Sequence, residues 1–154
     1  MSAFEIVVAG EADLEQLLPL MRAYCDFYKV DPSDEELLSL SRTLIADPER
    51  EGMQFLARDG NHRGAGFATL FWGWDTTEAS RIGTMNDLYV EPGARGGGLA
   101  ERLIQECLNR CEERGASRLE WITAPDNARA QAVYDRVGGV RQPWQVYQMR
   151  AGRR

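Results

Sequence analysis

A run of three consecutive glycines between a strand-like segment and a helical pattern constrains this chain more than any other feature. The strand-like segment ends at Val90, the loop covers 95–98, and the helical pattern begins at Leu99 and Ala100. Because glycine has no Cβ, this backbone can turn tightly and direct several N–H groups at one anion, which a helix N-terminus also favours. The sequence therefore predicts a strand, an anion-binding loop and a helix.

The elements around this loop predict one α/β (α+β) domain over residues 1–154. The helix after the loop is expected from Gly97 to about Glu113, ended by Gly115, with a strand over 118–123. Because a strand–helix–strand crossover makes its strands parallel, we expect the strands ending at Val90 and starting at Arg118 to be neighbours. Patterning predicts further strands over 4–8, 53–58, 66–72, 81–90 and 145–150, and helices over 13–28, 33–46 and 127–137.

The residues that close the loop exclude two common nucleotide sites. A P-loop needs Lys followed by Ser or Thr where this chain has Leu99 and Ala100. A dinucleotide fingerprint needs three spaced glycines after the first strand and an acid at the end of the next strand. The sequence meets neither requirement, so the anion belongs to another class of ligand.

Two motifs resemble those of the GNAT superfamily of acetyl-CoA-dependent N-acetyltransferases. The first is the spacing of its pyrophosphate-binding motif, matched by Arg95, Gly98 and Ala100. The second is an Asn at a helix start followed by Ala, Tyr and Gly, matched by Asn127, Ala130, Tyr134 and Gly138. The resemblance implies a mixed sheet of about six or seven strands, flanked by about four helices. It also implies that parallel strands four and five splay apart to admit the pantetheine arm of acetyl-CoA.

The resemblance also implies roles for individual residues. The Val90 N–H is the expected oxyanion donor, and the Tyr134 hydroxyl is the expected acid for the leaving thiolate. Tyr134 has an alternative role, packing its ring on its own helix, and Asn127 has one as a helix cap. The expected acetyl-CoA contacts are Leu88, Tyr89, Val90, Arg95, Gly96, Gly97, Gly98, Leu99, Ala100, Asn127 and Tyr134.

Asp87 is the nearest acid to the expected oxyanion donor and is our candidate base for the amine proton. The alternative is a strand-end acid paired with a nearby Arg. The stretch from Asp87 to Val90 resembles the diamine and polyamine branch of the superfamily, in which an additional acid often stands at the position of Asn86. That departure leaves both the base and a polyamine substrate open.

Composition excludes several other classes of protein. The chain has 44% hydrophobic residues, a net charge of −6 and no basic stripe, so we expect no nucleic-acid partner. It has no apolar stretch of membrane-spanning length and no signal sequence, so we expect no membrane partner and a cytoplasmic location. Cys25, Cys107 and Cys111 fit core packing, and with His62 as the one histidine we expect no metal and no disulfide.

We therefore expect an enzyme that transfers acetyl from acetyl-CoA directly to a primary amine of a small molecule. The alternatives are a peptide or protein N-acetyltransferase and a non-catalytic acyl-CoA-binding module. Dimers are common in the superfamily, and the strand expected at 145–150 offers an edge for a homodimer. The region expected to select the acceptor comprises Tyr24, Asp26, Phe27, Tyr28, Asp31, Trp72, Trp74, Asp75 and Glu78.

Overall fold

The computed structural model describes residues 3–152 and contains a five-stranded sheet. Its strands are β1 (Glu5–Val8), β2 (Gly52–Arg58), β3 (Gly64–Asp75), β4 (Ser80–Val90) and β5 (Leu119–Glu120). Its α-helices are α1 (Leu14–Phe27), α2 (Asp34–Ala46), α3 (Leu99–Arg114) and α4 (Ala128–Arg136), with short 3-10 turns before α1 and α3. No helix within 3–152 is both long enough and apolar enough to cross a bilayer.

The strands lie in sequence order, and only the last pair is parallel. The β1/β2, β2/β3 and β3/β4 pairs are antiparallel, so the predicted hairpins and the parallel crossover through α3 are confirmed. His62 lies exposed in the β2–β3 turn with a φ of 62°, as the turn prediction required.

Two predictions about strands are wrong for the described residues. The sheet has five strands rather than six or seven, and no strand forms over 145–150. Strict alternation there would place Trp144 and Val146 on one face and Tyr147 and Met149 on the other, so neither face is distinctly apolar. The strand expected over 118–123 pairs only at Leu119 and Glu120.

Helix ends follow local capping chemistry, with one exception. Ser33 and Glu36 form the predicted capping box of α2, and Gly115 ends α3 with a φ of 74°. The exception is Asp13, which makes no side-chain cap to α1 and instead accepts a hydrogen bond from the Gly10 N–H at 2.9 Å. Pro19 lies inside α1, five positions after Leu14, the first residue of the helix.

The helices cover opposite faces of the sheet. Side chains of α1 and α2 pack with Leu56 and Phe67 on one face, while α3 packs with Phe55, Ala68 and Leu70 on the other. Cys107 and Cys111 are fully buried on the α3 face, and all three cysteines are free, which confirms their role in core packing. A Cβ on Gly83 would lie 2.4 Å from the Cys111 Sγ, so glycine allows α3 to approach β4 closely.

Candidate active site

A gap opens between β4 and β5 just beyond their short parallel pairing. The two strands pair only at Gly83 with Leu119 and at Thr84 with Glu120. In β4 the register against β3 then shifts, because Met85 pairs with Leu70 but Asp87 pairs with Thr69, which leaves Asn86 as an extra residue. This bulge bends β4, and the strand continues to Val90 without a partner in β5. The splay of strands four and five is therefore present.

The register of β4 decides which of its backbone N–H groups face the gap. The Glu91 N–H donates to the Ala65 carbonyl oxygen at 2.9 Å, so this pair is hydrogen-bonded. Because such pairs alternate in an antiparallel ladder, the N–H groups of Val90 and Leu88 point away from β3 and toward the gap. By the same alternation the backbone of Tyr89 faces β3, and its ring lies 6.4 Å from that of Phe67.

The glycine loop meets the N-terminus of α3 on the opposite side of the sheet from α1. Gly96 and Gly98 have φ angles of 87° and 82°, a left-handed backbone that favours glycine. Helix α3 begins at Leu99 rather than at Gly97, with Gly98 as its N-cap residue. The Arg95 Nε donates to the Val90 carbonyl oxygen at 2.8 Å, which ties the loop to the end of β4. The loop thus offers backbone N–H groups at a helix terminus, as an anion site requires.

Asp87 lies on the α1 face of the sheet, where it is half-buried. Burial raises the pKa of Asp87, whereas the polar side chains of Thr69, Tyr24 and Asn86 beside it favour the ionised carboxylate and act in the opposite direction. The Asn86 Nδ2 donates to the Asp87 Oδ1 at 2.9 Å. No arginine is among these partners, so the alternative of a strand-end acid paired with Arg does not describe Asp87.

Tyr134 lies on α4, where its side chain is half-buried. Asn127 caps this helix by accepting from the Ala130 N–H at 3.2 Å, and Gly138 follows its end with a φ of 90°. The Tyr134 ring lies 5.2 Å from that of Trp121 in an edge-on contact, instead of packing only along its own helix. Burial raises the pKa of Tyr134, and the nearby Thr123 side chain acts in the opposite direction.

The arrangement matches a known family. The model of the acetyltransferase (GNAT) family matches residues 17–139, which include the loop, β4 and α4. The chain belongs to the GNAT acetyltransferase family. It is 30% identical over 138 residues to a thialysine N-epsilon-acetyltransferase of Caenorhabditis elegans, covering 89% of this chain and 83% of that one. It is 32% identical over 127 residues to a D-amino-acid N-acetyltransferase of Saccharomyces cerevisiae, covering 81% of this chain and 78% of that one.

Solved structures agree on the fold of this GNAT protein. A probable acetyltransferase superposes with a TM-score of 0.85 at 27% identity, over 97% of this chain and 99% of the other. An aminoglycoside N-acetyltransferase in complex with CoA superposes with a TM-score of 0.77 at 19% identity, over 97% of this chain and 96% of the other. The chain is therefore an acetyl-CoA-dependent acyltransferase by family, and the second likeness bears on its fold alone.

The region expected to select the acceptor in this acetyltransferase divides into two separate places. Tyr24 and Tyr28 lie beside each other near Asp87, with ring centroids 4.9 Å apart. Trp74 and its neighbours lie at the other end of the β3–β4 hairpin, where Arg118 forms ion pairs with Asp75, Glu78 and Glu120. Thr69 and Trp74 are five residue steps apart, and at about 3.4 Å per step they are separated by about 17 Å along the strand. Of these two places, only the one that contains Tyr24 and Tyr28 lies near the gap.

Sequence reasoning missed the polar residues that surround Asp87. Thr69 and Gln54 are fully buried on the α1 face, in strands that otherwise contribute apolar side chains to the core. The signal was present, since a Thr and a Gln occupy inward positions of two apolar strands. The bulge at Asn86 was also detectable, because Met85 and Leu88 face the same core cluster although they are three positions apart, an odd step that regular alternation would place on opposite faces.

The residues described offer little to a metal ion. Within 3–152 no group of three or more His, Cys, Asp or Glu side chains is placed to hold one. The backbone N–H groups at the gap and the glycine loop are hydrogen-bond donors, and these suit the amides and the diphosphate of acetyl-CoA. The groups at the gap are backbone donors, the Asp87 carboxyl and the phenols of Tyr24 and Tyr134.

Proposed function

We propose that this GNAT protein transfers the acetyl group of acetyl-CoA directly to a primary amine of a small cationic molecule. The observation that carries the proposal is the gap between β4 and β5, which the N–H groups of Leu88 and Val90 face, with the Asp87 carboxyl in the same stretch of β4. Two relatives are named for acetylating thialysine and D-amino acids, which supports a small amine as the acceptor. Aromatic rings of α1 and the net charge of −6 favour a cation.

The chain's own groups would divide the reaction among three tasks. An alkylamine has a pKa of about 10, so it needs a base at neutral pH, and Asp87 accepts its proton. The Val90 N–H, directed into the gap, stabilises the oxyanion as the C–N bond forms. The Tyr134 hydroxyl donates its proton to sulfur as the C–S bond breaks. Acetyl-CoA supplies the activated thioester and is consumed as a substrate.

The binding of acetyl-CoA is assigned to the backbone more than to side chains. Leu88 and Val90 direct N–H groups into the gap and suit the pantetheine amides. The loop of Gly96, Gly97 and Gly98, with Leu99 and Ala100 in the first turn of α3, suits the diphosphate. Arg95 adds positive charge there, although its Nε is engaged by the Val90 carbonyl. Tyr89 and Asn127 stay predictions for this role, and so does a cytoplasmic location.

The test of this function is release of free CoA across a panel of amines. The panel contains diamines, polyamines, thialysine, D-amino acids, aminoglycosides and peptides with a free N-terminus. We expect turnover with at least one small cationic amine and none with peptides. Turnover with peptides alone would support a peptide N-acetyltransferase. Binding of acetyl-CoA without release for any amine would support a non-catalytic module.

Tyr134→Phe tests the acid role within the same assay. Because proton transfer by a positioned group contributes about 10²- to 10⁴-fold, we expect kcat to fall at least about 100-fold with little change in KM for acetyl-CoA. Tyr147→Phe is the matched control, since it removes only the hydroxyl of a tyrosine that is 92% exposed and keeps its ring. An unchanged kcat in Tyr134→Phe would remove this residue from the acid role.

We also propose that the protein forms a homodimer through its C-terminal segment, residues 137–152. The segment carries five strongly exposed apolar side chains, and β5 pairs on one side only. These residues are Val140, Trp144, Val146, Tyr147 and Met149. Burying such side chains against a second copy would remove them from water and give the edge of β5 a partner.

A further inference from the structure

A row of polar side chains crosses three strands and ends at Asp87. Gln54 of β2 is the register partner of Thr69 in β3, and Thr69 is the register partner of Asp87 in β4. Cross-strand partners stand side by side on one face of a sheet, so these three side chains form a continuous line on the α1 face. Ser41 of α2 lies over the Gln54 end of the row.

The row is exceptional in its burial. Ser41, Gln54 and Thr69 are 0%, 3% and 0% exposed, and they are the only fully buried polar side chains within 3–152. Their surroundings on this face are apolar, with Leu56 and Phe67 as strand neighbours and Met21 above. A buried polar group without a partner is destabilising, so three such groups in one place require mutual hydrogen bonds. An apolar core would not need the row at all.

The hydrogen bonds in the row have a direction. The Ser41 Oγ donates to the Gln54 Oε1 at 2.6 Å, and the Gln54 Nε2 donates to the Thr69 Oγ1 at 3.1 Å. Because the Thr69 oxygen already accepts a hydrogen bond from Gln54, its single proton is free for the carboxylate of Asp87, the register partner of Thr69 on the same face. Each donor therefore points toward Asp87.

We propose that Thr69 and Gln54 are positioning residues, which hold the Asp87 carboxylate in the orientation that accepts the amine proton. The inference rests on the proposed function, in which Asp87 is the base. Thr69 fixes the carboxylate by donating to it, and Gln54 fixes Thr69 by donating to its oxygen. Ser41 in turn satisfies the Gln54 carbonyl, so the amide is held at both ends.

The other groups around Asp87 allow its titration to be observed cleanly. Tyr24 and Cys25 of α1 interact electrostatically with Asp87, Thr69 faces it from β3, and Asn86 adjoins it in β4. Burial raises the pKa of both Tyr24 and Cys25, so both stay neutral where a carboxyl titrates. Thr69 and Asn86 do not ionise. A change in the acidic limb of the pH profile therefore reports on Asp87.

Thr69→Val removes the donor while keeping the size and β-branching of the side chain. The hydrogen bond favours the ionised carboxylate, so its loss raises the pKa of Asp87 and moves the acidic limb of kcat/KM to higher pH. We expect kcat/KM for the amine to fall about tenfold at pH 7, a smaller loss than removal of a base. Thr69→Ser, which keeps the hydroxyl, restores the wild-type limb.

Gln54→Leu tests the second step of the row. It leaves the Thr69 hydroxyl without its donor, so the acidic limb moves in the same direction as in Thr69→Val and by less. Because Gln54 acts only through Thr69, the double variant behaves as Thr69→Val alone. Leu56→Val is the matched control: it loosens packing on the same face of β2 and leaves the acidic limb unchanged.

Two readouts separate this inference from the proposed function. The first is the pH profile with an active amine, and the second is the Asp87 carboxyl resonance followed by NMR during a pH titration, which needs no turnover. A higher Asp87 pKa in Thr69→Val, restored in Thr69→Ser and absent in Leu56→Val, supports the row even if no amine is acetylated. An Asp87 titration that is the same in wild type and Thr69→Val overturns the inference, whatever the activity.

Discussion

At the scale of single residues, the sequence identified the groups at the gap but not their surroundings. The sequence predicts Asp87 from its position ahead of the glycine loop and Tyr134 from its spacing to Asn127. Both can be read from the sequence without knowledge of how the side chains pack. The orientation of Asp87 was not predictable in the same way. It depends on the bulge at Asn86, which turns Asp87 toward α1, and on partners that lie 18 and 63 residues away in the sequence.

Asp87→Asn should make the protein more stable at neutral pH while impairing catalysis. The folded pKa of Asp87 is raised, so between the unfolded and folded pKa values the folded state binds more protons and stability declines as pH rises. Above the folded pKa the charge is desolvated only in the folded state. Asparagine removes that cost, so urea unfolding at pH 7.5 should show a higher midpoint, with the gain disappearing at acidic pH.

Asp75→Asn is a control for this pH dependence, because its expected effect on stability has the opposite sign. Hydrogen bonds from Thr77 and Arg118 lower the pKa of Asp75 to about 2, so its contribution to stability is present above the unfolded pKa and is lost as pH falls toward 2. Asp75→Asn should therefore lower the urea midpoint at neutral pH. If both variants lowered the midpoint, the sign argued for Asp87 would be wrong.

At the scale of elements, local chemistry predicted helices better than the last strands. The capping box at Ser33 and the glycine at 115 are local signals, and the structure keeps both. The length of β5 is a tertiary property, because it depends on where β4 bulges and leaves its neighbour. A strand pattern alone cannot reveal that only Leu119 and Glu120 find partners.

Helix α4 depends on its cap more than the other helices do. None of its nine residues is fully buried, and its contacts include the Tyr134 ring against Trp121, an Arg136 ion pair with Glu101 and hydrogen bonds from Gln131 to the loop before the helix. Asn127→Ala should cost about 1 kcal/mol and loosen the helix that carries Tyr134. We expect faster amide exchange in α4 and a reduced kcat, with little change in the exchange of the β3 core.

Asn127→Asp keeps a capping oxygen and is the matched control for that experiment. It should retain slow exchange in α4 and most of kcat. If Asn127→Ala lost activity while exchange in α4 stayed slow, the side chain would act by contacting acetyl-CoA and not by capping. The two roles left open by the sequence are thereby separated.

At the scale of the whole molecule, the sheet separates the two halves of the proposed chemistry. Asp87 and the aromatic side chains of α1 lie on one face, and the glycine loop enters α3, which covers the other. The crossover from β4 through α3 to β5 was predictable, since chain order and handedness fix it. The face of the sheet on which Asp87 lies was not predictable, because the bulge in β4 changes the alternation of its side chains between the two faces.

The C-terminal segment gives the prediction that belongs to the assembled molecule. Trp144 and Tyr147 are 84% and 92% exposed, and such large apolar groups close together are typical of a surface that another chain covers. We therefore expect sedimentation velocity of the wild-type protein at micromolar concentration to show a dimer. The double variant Trp144→Ser, Tyr147→Ser should sediment as a monomer, because it removes most of the aromatic area available for burial.

Leu40→Ser is the control for a general loss of surface apolarity, since Leu40 is 38% exposed on α2, away from this segment. It should leave the dimer intact. A wild-type monomer would contradict the proposed assembly, and a dimer that persists in the double variant would place the interface elsewhere. Because Tyr134 and the end of α4 immediately precede the segment, loss of the dimer should also speed amide exchange in α4, which links assembly to the position of the proposed acid.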